Sequence, residues 1–343
     1  MATGVLLRPL ASADLDQLAA LAGLLDTVNL PADPAALAAL ATASDRAFGD
    51  LLNKDPAFDR RHASFSLVAV DGASGRLLGT ASLFACHGTP ESPHYYLKVE
   101  DAPVVSRQLG TTRPRTLLTL GRDVEPWTEL GGLVVHPEAR GRGVGKLLVA
   151  ARLLLVAMHR ARFCDRLLAE LLPSRRADGG NAFWDAVGGP LTGLEFYRAD
   201  LLCRDDKEFI DAFFPHEHLV AELLPEAARA LIGREGPATT PVRALLGRAG
   251  FRHLGTIDPF DAGPHDGAQV ADLTPIQDSR RLVLLDVPPA TPGPMGLVAS
   301  PRYHRFEAMP ATIQGDGLRL EPADARRIGV VPGDPVWLMP LAW

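Results

Sequence analysis

The sequence predicts an α/β fold: helices flanking a sheet, then a helical second half and a small β-rich C-terminal segment. Three observations predict it. Residues 65–70 and 77–84 are apolar runs joined by Asp71-Gly72-Ala73-Ser74-Gly75, a hairpin turn that favours antiparallel pairing. Residues 130–135 form another apolar run, His136-Pro137 stops it, glycines follow at 141, 143 and 145, and residues 146–156 are nearly all apolar helix formers. Past residue 208, short helical stretches separated by Pro and Gly dominate.

Taken in order, residues 5–8 read as a strand, and Ser12 or Asp14 can cap a helix running to about residue 25. Residues 35–52 read as a second helix, after which the hairpin follows. Residues 87–123 are polar and Pro-punctuated, with Tyr95, Tyr96, Arg107, Arg113 and Arg115, and read as strand and loop. Beyond the apolar helix, residues 166–170 and 194–200 read as strands around a short amphipathic segment opened by Phe183-Trp184. Helices are expected at 208–214, 219–224, 225–232 and 241–249, the last ended by Gly250 and followed by a strand at 251–258. That unit echoes the one at 183–200. A Pro-rich linker spans 287–294, and strands near 296–299, 318–320 and 335–340 surround a short helix at 323–328. The organisation is therefore a core over residues 1–286, its helical second half at about 171–250, and an appendage at 295–343 that covers an edge of the sheet.

The charge balance, 35 basic against 41 acidic residues, argues against a nucleic-acid or anionic-membrane surface as the main partner. No apolar run is long enough to span a bilayer and no leader pattern opens the chain, so a cytoplasmic protein is expected. Cys86, Cys164 and Cys203 stand far apart and outside metal-ligand spacing; no disulfide and no metal is expected.

The glycine turn is the chemical signal. A helix entered through such a turn presents free N–H groups and the positive end of its dipole to a phosphate. A P-loop fails, because Arg140 stands at its first glycine and Leu147 follows Lys146 where a hydroxyl is needed. A dinucleotide fingerprint from Gly141 fails at Lys146. What remains is Arg140-x-x-Gly143-x-Gly145 behind Glu129, Leu133, Val135 and Pro137 in an E-x-x-x-L-x-V-x-P pattern, which resembles the acyl-CoA loop of the GNAT acyltransferases.

A narrower resemblance covers nearly the whole chain. Arg8-Pro9, Leu30-Pro31, Tyr95-Tyr96, Ala169-Glu170, Phe183-Trp184, Arg198-Ala199-Asp200, Ile232-Gly233 and Gly250-Phe251-Arg252 occur in the order and spacing of the arginine N-succinyltransferase family. The run I-D-P-F-D-A-G-P at 257–264 is similar to that family's I-D-I-F-D-G-G-P. The resemblance implies a GNAT-like mixed, mostly antiparallel sheet with a helical insertion. It also implies acyl-CoA as co-substrate, succinyl-CoA favoured, and a small amine such as arginine or ornithine as acceptor. In that reading the pantetheine arm lies along Leu133, Val134 and Val135, and the pyrophosphate rests on the loop Arg140, Gly141, Arg142, Gly143, Val144, Gly145 and Lys146. A homo- or hetero-oligomer is allowed.

Two positions depart from the family. Gly236 stands where the family has a histidine taken as the proton-transfer residue, and Leu172 stands where it has an arginine able to hold a carboxylate. Glu129, at the head of the central strand, is a candidate proton acceptor or a strand-end carboxylate in a salt bridge. His216 and His218, with Glu217 between them, offer a substitute base or a solvated loop. Two further readings stay open: an acetyltransferase acting on an unrelated amine, and a CoA-binding, catalytically weak subunit that needs an active paralogue.

Overall fold

Alternation along residues 64–71 sets the layers. Phe65, Leu67 and Ala69 point to one face and pack in the core that holds the apolar helix; Val68 and Val70 point to the other and meet Leu18, Leu21, Leu37 and Ala41. A computed structural model describes residues 4–24, 30, 32–52, 58–203, 207–285, 293–300, 306–314, 317–318 and 320–343. The helix Val144–Met158 is buried almost all round, from Leu147 through Val156, which is why its sequence shows no polar face.

One sheet runs through the molecule. Its middle is the antiparallel set Val5–Pro9, Ser64–Asp71, Leu77–His87 and Trp127–Val135. Arg166–Glu170 then joins Trp127–Val135 in parallel, through Thr128 opposite Leu167 and Glu129 opposite Leu168. Every other ladder between strands is antiparallel among the described residues. Past Arg166–Glu170 come Pro264–Gln269, Arg252–Ile257, His94–Asp101, Thr116–Asp123 and Leu219–Val220. A second core, built on Phe183, Trp184, Phe196, Phe214 and Phe260, sits against this half of the sheet through Tyr95, Leu97 and Leu118. No helix is long and apolar enough to cross a membrane among the described residues.

The C-terminal strands extend the sheet itself. Ala308–Gln314 pairs with Val5–Pro9 through Leu7 and Ala308, and Met295–Ala299, Pro335–Pro340 and Arg280–Val283 continue outward. The Pro-rich stretch expected as a linker over 287–294 lies outside the described residues at 287–292, and the first helix, expected to reach about residue 25, is Leu15–Ala22 with Gly23 as its C-cap.

Two expected elements are corrected. Residues 194–200 form a helix, Phe196–Leu202, because Phe196 and Ala199 are buried one turn apart in the second core and the segment has no β-branched residue to favour a strand. The echo between 183–200 and 241–258 is therefore not structural: one ends in this helix, the other in the strand Arg252–Ile257. Residues 219–224 are not a helix either. Leu219 and Val220 pair with Leu118 and Leu117, and a single 3-10 turn, Ala221–Leu223, leads to Pro225.

Candidate active site

A bulge in the central strand creates the site. Thr80 faces Val134 and Ser82 faces Gly131, so Ala81 lies opposite both Gly132 and Leu133, and Gly132 takes a left-handed φ of 58° that a side chain would resist. Buried Arg152, from the apolar helix, holds the distortion. Its guanidinium donates to the carbonyls of Ser82 at 3.2 Å, Gly131 at 3.3 Å and Leu148 at 3.3 Å. Burial pushes its pKa down to about 9. Beyond Glu129 the strands Trp127–Val135 and Arg166–Glu170 part, and no strand pairs with residues 130–135 on that side among the described residues. This leaves an edge against which an extended chain can lie.

The glycine turn follows at the end of that edge. Gly141 and Gly143 adopt φ of 73° and 87°, and Gly143 caps the helix without any side-chain hydrogen bond. The first helical acceptor is the Gly143 carbonyl, taken by Leu147 N–H at 3.1 Å, so the N–H groups of Val144, Gly145 and Lys146 precede the first helical donor. Arg140 and Arg142 are exposed beside them. Lys146 is turned away: its Nζ donates to the main-chain oxygens of Leu341, at 2.8 Å, and Trp343, and stands 4.6 Å from the Trp343 ring centre. Only its N–H is left for a phosphate.

Where the strands part, a cavity of about 330 Å³ opens. Among its lining residues are five carboxylates, Glu129, Glu170, Asp200, Asp258 and Asp261, against the cations Arg175 and Lys207. His87, Phe84, Phe196 and Phe260 complete much of the wall. Glu129 is almost fully buried, with its Oε2 3.2 Å from His87 Nδ1. His87 Nε2 lies 2.8 Å from Nδ1 of buried His94, and Glu170 Oε1 lies 3.4 Å from the same His94 atom. Burial pushes Glu170 and Asp258 above the usual carboxylate range and Asp261, repelled also by Asp258, well above it. Burial likewise holds His87 and His94 well below the ordinary imidazole value and His265 at about 4, so these rings are neutral at neutral pH.

His216 and His218 do not reach this cavity. Both are exposed, and His218 Nδ1 meets Thr119 Oγ1 at 2.7 Å on an outer strand. The imidazole beside Glu129 is His87, with His94 behind it. The two departures from the family are joined in space: Gly236 N–H donates to the Leu172 carbonyl at 2.9 Å, and a Cβ on Gly236 would stand 2.9 Å from the carbonyl carbon and oxygen of Pro173. Pro173 thus occupies the room that a side chain at 236 needs. Arg175, three residues past Leu172, brings a guanidinium to the cavity.

A sequence model of the arginine N-succinyltransferase beta subunit family matches residues 5–275. The chain belongs to this family. Arginine N-succinyltransferase subunit beta of Pseudomonas aeruginosa is 32% identical over 98% of each chain. Arginine N-succinyltransferase of Salmonella schwarzengrund is 32% identical over 88% of this chain and 87% of its own. The solved structure of arginine/ornithine succinyltransferase subunit AI from Pseudomonas aeruginosa superposes with a TM-score of 0.82 at 26% identity, covering all of both chains. The fold is accordingly the GNAT-like, mostly antiparallel α/β arrangement of the arginine N-succinyltransferase family.

Proposed function

We propose that the protein transfers the succinyl group of succinyl-CoA to the α-amine of arginine or ornithine. Membership of the family makes the chain an acyl-CoA-dependent N-acyltransferase. The observation that carries the substrate is the excess of carboxylates around the cavity, which suits an amino acid with a cationic side chain. In this reading the CoA pyrophosphate rests on the turn at Gly143 and the N–H groups of Val144 to Lys146, and the pantetheine arm follows Leu133, Val134 and Val135. Arg175 and Lys207 take a carboxylate, and Asp200, Asp258 and Asp261 face the guanidinium or side-chain ammonium.

Chemistry then needs a neutral amine and a polarised thioester carbonyl. Glu129 accepts the ammonium proton, the amine attacks the carbonyl carbon, the C–N bond forms as the C–S bond breaks, and the nitrogen's second proton passes to the departing thiolate, which leaves as free CoA. Main-chain N–H groups of the strand edge beyond Glu129 are placed to polarise the carbonyl. Relatives named as subunits support an oligomeric enzyme. The test is a panel of succinyl-, acetyl- and glutaryl-CoA against arginine, ornithine, lysine and glutamate with mass detection of the product. N-succinylarginine or N-succinylornithine as main product supports the proposal; preferred acetylation, or no product from either basic amino acid, overturns it.

A further inference from the structure

We propose that His87, His94 and Glu170 bind a divalent transition-metal ion, zinc by preference, in the wall of the cavity. Their facing atoms, His87 Nε2, His94 Nδ1 and Glu170 Oε1, are separated by 2.8, 3.4 and 3.8 Å. A tetrahedral ion with bonds of about 2.0–2.2 Å sets its ligand atoms roughly 3.3–3.6 Å apart, so these separations bracket the required value and need only sub-ångström adjustment. Two histidines and a carboxylate are a catalytic-type zinc set that leaves the fourth position open.

The surroundings add independent support. Glu129 Oε2 stands 3.2 Å from the other ring nitrogen of His87. A carboxylate there fixes the tautomer with Nδ1 protonated and Nε2 presenting its lone pair, the usual arrangement behind a metal-bound histidine. Glu170 also offers an oxygen within 4.8 Å of ligand atoms of Asp258 and His265. His265 is fully buried, and its Nε2 has no hydrogen-bond partner among the described residues. In the metal-free chain the one proton between His87 Nε2 and His94 Nδ1, 2.8 Å apart, sits on His94; the ion takes its place, that proton moves to Nε2 of the same neutral ring, and any proton on Glu170 is released to solvent. The sequence hides the set because its members come from residues 87, 94 and 170, with no short-range spacing.

The full chain, stripped with chelator and titrated with Co²⁺, should take up one equivalent with the visible d–d absorption of a four- or five-coordinate site, and Zn²⁺ should displace it. His87→Gln and Glu170→Gln, both at the rim of the cavity, should each weaken zinc binding by about tenfold or more with unchanged circular dichroism, while His218→Ala should leave it unchanged. His94→Asn should behave like His87→Gln if it folds. Less than half an equivalent bound by the wild type, or equal zinc affinity in wild type, His87→Gln and Glu170→Gln, would overturn the assignment. The titration contains no substrate, so its outcome is independent of which acyl group and amine the protein uses.

Discussion

The two halves of the site are built in opposite ways. The proposed cofactor half is one unbroken stretch, the strand Trp127–Val135, the glycine turn and the helix Val144–Met158, and in that proposal the backbone does the binding. The amine half gathers charged or titratable side chains from residues 87, 129, 170, 175, 200, 207, 258 and 261, far apart in the chain. A backbone site tolerates change at most of its side chains. A side-chain site does not.

The comparison breaks first at Glu129. Glu129→Gln should lower kcat by about a hundredfold or more near neutral pH while CoA affinity, read by calorimetry, stays the same. A mutant that turns over like wild type would make Glu129 a structural partner of His87. On the cofactor side, Gly145→Glu is the sharper probe. A Cβ there meets only Val135 Cγ2 at 3.6 Å, and an acidic residue in the first helical turn suits the dipole, so folding should be intact or slightly firmer. The same charge opposes the pyrophosphate, and CoA should bind about a hundredfold more weakly, on the order of 3 kcal/mol. Unchanged affinity would remove the turn from the binding site.

Gly236→His tests whether the missing histidine can simply be put back. The contact with Pro173 says no: the substitution should cost about 1–3 kcal/mol of stability in a denaturant titration and give no gain in arginine succinylation. A gain in rate would show that the loop yields easily and that this position still faces substrate. The smallest expected effect concerns the two cavity thiols. Burial pushes Cys86 up to about 11 and Cys203 up to about 12, so both stay protonated at pH 8. Iodoacetamide should leave them unmodified there, with labelling rising only as pH nears 11; rapid labelling at pH 8 would mean that the cavity is wetter than the structure implies.

The same contrast explains what the sequence reveals. Strand, turn and helix are adjacent in the chain, so periodicity and glycine spacing find the stretch around Gly143, and the hairpin at residues 71–75 announces two of the central strands. The helix Phe196–Leu202 escapes because its burial comes from Trp184 and the second core, which single-sequence periodicity does not register. The cavity escapes for a related reason. Asp258 and Asp261 stand in a recognisable run and Glu170 in another, but nothing local says that they face Glu129, or that His87 and His94, seven residues apart, close on one another from two strands. His216 and His218 form the denser histidine cluster in sequence and yet sit in solvent.

The central claim is that the carboxylates of the cavity select a cationic amino acid, and arginine against citrulline tests it most directly. The two acceptors share length and shape, and differ in carrying a guanidinium or a neutral ureido group. With succinyl-CoA as donor, kcat/KM for arginine should exceed that for citrulline by about a hundredfold or more, since the neutral group leaves buried carboxylates uncompensated. Equal values for the two would contradict the account.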